Sequence, residues 1–149
     1  MRSILSTSDD TAPTIARFAL GVVYFAHGAQ KMLGWFGGYG FAATMGFFTS
    51  QHIPAFLAFV VICVEFFGSL ALLLGVCGRV AAFLIAFEMV VAVALVHSHF
   101  GFFMNWTGQQ KGEGFEYHIL ALALLLIVMV KGSGAASVDR ALSVDRAVS

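Results

Sequence analysis

The stretch TIARFALGVVYFAHGAQKMLGWFGG, Thr14–Gly38, decides the fold. Its first part is apolar and long enough for a bilayer core, which takes about 20 residues of helix. It then sets His27, Gln30 and Lys31 within about one turn and runs into glycines and aromatics. Three more apolar runs follow, and the spans read as Thr14–Leu33, Pro54–Leu74, Val80–Val96 and Glu116–Val130. Of the 149 residues, 60% are hydrophobic and only 11% charged, and the mean hydropathy is +0.91. A soluble domain of this size needs more charge to cover its surface. The expectation is an all-α membrane protein in one domain, residues 1–149. It would be an antiparallel bundle of four transmembrane helices with aromatic interfacial loops on the outer side. The first run is too long for a cleaved signal, follows the acidic pair Asp9-Asp10, and precedes three further spans. The formal net charge is zero, so nothing points to nucleic acid.

Basic residues give the orientation. Four spans put both termini on one side, with Arg2, Arg17, Arg79, Lys131, Arg140 and Arg146. The other side has only Lys31 and Lys111. Both termini are therefore expected in the cytoplasm, with the connections Gly34–Ile53 and Ser98–Phe115 outside. These connections carry Trp35, Phe36, Tyr39, Phe41, Phe47 and Phe48, and Phe100, Phe102, Phe103 and Trp106. Such aromatics lie at headgroup level. The link Gly75–Arg79 makes the second and third spans antiparallel neighbours. Cys63 and Cys77 are about four turns apart on one helix, too far to pair, and read as buried small hydrophobes. The tail from residue 131 to 149 repeats SVDRA, at Ser137 and at Ser143, and reads as a short polar cytoplasmic segment with a turn or two of amphipathic helix.

Ionisable residues inside a span cost about 2.5–3.5 kcal/mol each on the insertion scale, so each needs a partner, a neutral form or water. Arg17, Tyr24 and Lys31 are spaced by sevens and share one stripe of the first helix with Gly21 and Gly28. That stripe should face inward, although Arg17 and Lys31 also suit snorkelling to the two interfaces. Glu65 and Glu88 fall at similar, middle depth. His97 and His99 end the third span and face opposite sides of a regular helix, so both reach one site only if the helix unwinds there, which is the expectation. Glu113, Glu116, Tyr117 and His118 open the fourth; a carboxylate there also suits the helix dipole. Together these groups outline a polar pocket open to the outer side and narrowing to buried carboxylates.

Several readings of that pocket compete. One is a purely structural ion-pair network, in which Lys31 and Arg17 neutralise Glu65 and Glu116. Another is a quinone or small aromatic site, where histidine donates to a carbonyl, carboxylates shuttle protons and aromatics sandwich the ring. A third is a metal site using His97, His99 or His118. Their i,i+2 spacings do not put two ligands on one helix face, and no HxxxH or HExxH is present. Haem between histidines of two helices is the remaining alternative.

The chain resembles the DoxX family of small four-helix membrane proteins from about Arg17 to Asp139. The resemblance rests on Arg17 with FALG, HGAQKMLGWFGGYG, IPAFLAF with Glu65, and LLLGVCGR ending in Arg79. It continues through MVVA from Met89, His97 ahead of Gly101-Phe-Phe, and Gly114-Phe-Glu116-Tyr117. It implies a bundle in the bacterial inner membrane with cytoplasmic termini. It also implies membrane redox chemistry, namely thiosulfate or thiol oxidation coupled to quinone, or protection against oxidative stress. His27, Lys31, Glu65, His97 and Glu116 match motif positions and are the candidate catalytic residues; Glu88, His99 and His118 do not match. Arg17, Gln30, Trp35 and Tyr117 are the candidate cofactor-binding groups around them.

On the oxidoreductase reading, His27 or His97 exchanges protons, Glu65 relays them, and Lys31 stabilises an anionic intermediate. No CxxC, flavin or haem-attachment motif is present, so electrons come from the quinone, a bound metal or a partner such as a soluble redox or sulfur-transfer enzyme. The alternatives are a non-catalytic membrane anchor for such enzymes, with structural buried charges, and a carrier, which would need to form a homo-oligomer.

Overall fold

The computed structural model describes residues 5–148; Arg2, counted above for orientation, lies outside them. Every regular element described is helical: α1 (Thr11–Leu33), α2 (Gly40–Ser50), α3 (Ala55–Leu74), α4 (Gly78–Leu95), a 3₁₀ turn (His97–Phe100), α5 (Glu116–Lys131) and α6 (Val138–Val148). The four long apolar runs are α1, α3, α4 and α5, and their ends fall within one turn of the expected ones. Asp10 starts α1 by accepting the Ala12 N–H at 3.0 Å, and that bond holds its carboxyl below the usual range.

The long helices run up and down in sequence order. Each packs on the next, and α5 closes the ring on α1. Tyr24, Ile62, Leu72, Ile85, Leu125 and Val128 fill the interior. The outside is as apolar as the inside: Phe18, Phe56, Phe67, Phe83 and Phe87 are each more than half exposed. A surface of this kind suits lipid rather than water. By length and hydropathy, α3 and α4 each qualify to cross a membrane.

The tightest helix contact is between α1 and α3, and it depends on Gly28. A Cβ there would lie 2.7 Å from Phe66 Cα and 2.8 Å from the Glu65 carbonyl carbon, both backbone atoms that cannot rotate away. Gly28→Ala is expected to push the helices apart and cost about 1–3 kcal/mol. A fall in unfolding temperature in detergent would register this, and an unchanged value would mean that the two helices are not so closely held.

Three expectations are corrected at the connections. The connection Gly34–Ile53 is not a loop but contains α2, packed against α1 and α3. The tail is more than a turn or two: α6 has 11 residues, and Asp139 in its first turn is only 2% exposed. Its carboxylate accepts the N–H groups of Cys77 and Gly78 at 2.8 and 3.0 Å and the Ser133 hydroxyl at 2.6 Å. It thus caps the start of α4 from another part of the chain. Cys77 is exposed rather than buried, because it stands in the α3–α4 turn beyond the packed helices.

Candidate functional site

The polar groups of the long helices divide between the two ends and the middle of the bundle. At the end holding the described termini, Arg17 is 2% exposed and spends its guanidinium on backbone. Nη1 donates to the Leu72 and Leu73 carbonyls at 2.7 Å each, Nε to Ser133 O at 2.7 Å, and Nη2 to Ala136 O. The four acceptors lie at the end of α3 and in the segment between α5 and α6, so one side chain closes that end. Arg17 therefore stands apart from the other candidate binding groups. The expected pairing of Arg17 and Lys31 with Glu65 and Glu116 reduces to one pair, Lys31 with Glu65.

At the opposite end Glu116 organises the second connection. Its Oε1 accepts the Met104 N–H and the Trp106 indole N–H, each at 2.9 Å. Gln30 donates to Phe36 O at 3.1 Å and so fastens the turn after α1. Trp35 is exposed and packs edge-on against Phe25 and Phe36. The helix does unwind after α4, as two inward histidines would require, but only one turns in. His97 ends 4.1 Å from the His118 ring, centroid to centroid, and its Nδ1 lies 2.8 Å from Glu113 O. His99 is exposed. Among the described residues no three His, Cys, Asp or Glu side chains gather as a metal site would require. His97 and His118 meet without His99.

The middle holds the constellation. Lys31 of α1 forms an ion pair with Glu65 of α3, which is 5% exposed. Glu88 of α4 lies against Glu65 and within the field of Lys31. Tyr24 of α1 approaches Tyr117 of α5 and both glutamates, without a well-aligned hydrogen bond to its hydroxyl. His27 flanks the pair from the exposed side of α1. Each of the four long helices thus contributes a polar group to one cluster, in which Tyr24 and Glu65 are buried and Lys31, Glu88 and Tyr117 half-buried. Three of its atoms or near neighbours, the Tyr24 hydroxyl, Glu88 Oε2 and His118 Nδ1, are buried with no hydrogen-bond partner among the described residues. Tyr117 joins this cluster to the histidine pair, its ring 5.4 Å from that of His118.

Two members of the cluster, Tyr24 and Glu88, are absent from the candidates chosen on sequence. The signals were there: Tyr24 shares the seven-residue stripe of Lys31, and Glu88 has the depth of Glu65. Neither signal names a partner.

Chemically, the cluster offers two carboxylates against one ammonium. It is neutral when it keeps one proton, and the place of that proton depends on whatever else enters the site. Phenol, imidazole and carboxyl groups follow one another from the central cluster through Tyr117 to the His97–His118 pair, close together but with no aligned hydrogen bond between them among the described residues.

The comparisons with known proteins agree with the apolar, membrane-suited surface of the chain. The chain is 28% identical over 135 residues to a protein of Escherichia coli (strain K12) named "Inner membrane protein YqjF"; the match covers 91% of this chain and 95% of that one. It is 27% identical over 92 residues to a protein of Bacillus subtilis (strain 168) named "Putative oxidoreductase CatD", covering 62% of this chain and 64% of the relative, just under two thirds of its length. No solved structure matches the chain. The sequence profile of the DoxX family matches residues 12–98, which run from the second residue of α1 past the end of α4 and include the Lys31–Glu65 pair and Glu88. That match covers more than half of the chain, which therefore belongs to the DoxX family.

Proposed function

We propose that the protein is a four-span inner-membrane protein whose central cluster binds a small ring compound with two carbonyl groups, a quinone, and exchanges protons with it. The observation that carries this reading is the pair of buried, unpartnered polar atoms beside Lys31 and Glu65, the Tyr24 hydroxyl and Glu88 Oε2. Burying such atoms without partners costs about 1–3 kcal/mol each, so a polar ligand entering there recovers that cost. The name of the YqjF relative supports the inner membrane, and that of CatD supports redox chemistry. α1 and α5 cross beside α3 and α4: they complete the same ring of helices, and their outward residues are equally apolar. The termini face the cytoplasm, because their end of the bundle carries Arg17, Arg79, Lys131 and Arg140.

On this reading Lys31 holds negative charge developing on a carbonyl oxygen. Glu65 and Glu88 pass the proton they share, Tyr24 donates a hydrogen bond, and His27 or His97 connects the site to the outside. The chain moves protons and binds the ring. Electrons come from a reduced sulfur compound or from a soluble redox partner. Trp35, Gln30 and Glu116 shape the outer connections over the site.

Tyr24→Phe tests this directly, since it removes one oxygen and leaves the packing. Unfolding stability should stay level or rise slightly, because an ill-partnered buried hydroxyl is gone. Affinity for a short-chain benzoquinone, followed by quenching of tryptophan fluorescence in detergent, should fall about fivefold or more, the worth of roughly 1 kcal/mol. Absence of saturable quinone binding to the unaltered protein would overturn the reading. It would favour the anchoring subunit instead, for which the structural duties of Arg17 and Glu116 already speak.

A further inference from the structure

A second polar site lies at the end of the bundle remote from the cluster. It is a cavity of about 460 Å³ lined by Ser6, Thr7, Ser8, Arg79, Val130 and Lys131. Arg79 reaches across it. Its Nε donates to Ser6 O at 3.1 Å, and its Nη1 donates to Val130 O at 3.0 Å and to Met129 O. Carbonyls satisfy N–H groups but bring no negative charge, and no carboxylate pairs with Arg79 among the described residues. Lys131 has one acidic neighbour, Asp10, with Nζ to Oδ2 at 3.6 Å. Two cations therefore face one acid, and that acid does not line the cavity. The Ser8 hydroxyl is buried with no hydrogen-bond partner among the described residues.

The surroundings of the cavity are apolar on one side. Val130 is exposed, and so is Leu126 one turn before it on α5. On the neighbouring α4, Val80 and Phe83 are exposed next to Arg79 and one turn beyond it. Cationic groups, with a buried, unpartnered serine hydroxyl behind the cavity wall, thus sit where an apolar helix surface begins.

We infer that this cavity holds the phosphate of an anionic phospholipid of the inner leaflet. The guanidinium of Arg79 and the ammonium of Lys131 flank the phosphate, and the unpartnered Ser8 hydroxyl turns from behind the wall to donate to it. One acyl chain runs along Leu126 and Val130 on α5 and Val80 and Phe83 on α4. A free phosphate ion has the same head chemistry but gains nothing from the apolar track, so the geometry favours the lipid. Arg–phosphate contacts are charge-assisted and directional, and basic residues at this level attract anionic headgroups.

Native mass spectrometry of the full chain in mild detergent tests the assignment, with phosphatidylglycerol, phosphatidylcholine and inorganic phosphate as the probes. Phosphatidylglycerol should saturate one site at least fivefold more tightly than phosphatidylcholine. Lys131→Gln should weaken it about fivefold, the value of roughly 1 kcal/mol per basic residue near the surface. Ser8→Ala, which leaves every charge and Arg79 in place, should weaken it severalfold and guards against a Lys131 variant that folds poorly. Millimolar phosphate should not displace the lipid. Equal binding of the two lipids, or no effect of either substitution in folded protein, would overturn the site. Displacement by phosphate would overturn the lipid assignment in favour of a soluble anion.

Discussion

Arg17→Ala is expected to lower unfolding stability by about 3–5 kcal/mol, more than the glycine or tyrosine exchanges above. The side chain donates to four carbonyls on two segments of the chain. Hydrogen bonds to charged groups contribute about 1.5–3 kcal/mol each, and carbonyls left bare in a buried place add a desolvation cost. The total stays below the sum because Leu72 O keeps the Gly75 N–H and water reaches the part-exposed acceptors. Gly75 adds to the strictness of this corner: its φ is +67°, and a Cβ would lie 2.4 Å from Ser137 Cβ. Arg17→Lys should recover less than half of the loss, since an ammonium cannot reproduce the planar fork. Thermal unfolding in detergent measures both variants. Wild-type stability in Arg17→Ala would sink the clamp. Folded Arg17→Lys should bind quinone normally, because Arg17 and Lys31 are about 21 Å apart along α1 at 1.5 Å per residue. Loss of quinone binding in that variant would instead return Arg17 to the ligand site.

The second large effect concerns the Lys31–Glu65 pair. Lys31→Met leaves the buried Glu65 carboxylate uncompensated and should cost about 3–5 kcal/mol, while Glu65→Leu should cost less, because the Lys31 side chain it leaves is a quarter exposed. Glu88, which lies within the field of Lys31, moderates the Glu65 loss further. Lys31→Met with Glu65→Leu together should return stability to within about 1 kcal/mol of the starting protein, because an apolar replacement of a buried pair is often neutral. The coupling from the four-variant cycle should therefore be large, and unfolding in detergent measures it. The functional readout should part company with stability: the double variant should fold and yet lose quinone binding. If it folds and binds quinone as before, the pair is structural and the proton-exchange reading is wrong. If the singles cost nothing, the pair is not buried in the membrane-embedded protein.

Much of this protein is written locally in its sequence. The four long helices follow from runs of apolar residues, and their ends from Asp10, the Gly75–Gly78 link and the charged start at Glu116. Hydropathy and helical period are properties of neighbouring residues, so a window of about 20 residues carries them. The inward stripe of Lys31 and Tyr24 and the middle depth of Glu65 were readable for the same reason.

What each polar residue touches depends on residues far along the chain, and only the packed bundle decides it. Arg17, on the same stripe as Lys31, ends on carbonyls 55 to 119 positions away instead of on a carboxylate. Glu116, which matches a family motif, holds the backbone of a connection, while Glu88, which matches none, joins the central cluster. Asp139 in a short polar repeat caps a helix that begins 61 residues earlier. A charge buried in an apolar bundle must find a counter-charge or a bare backbone group, and sequence shows that need without showing the partner. The fold was thus determined by local hydropathy. The division of its charges into a clamped end, a loop organiser and a central cluster was decided by which helices meet.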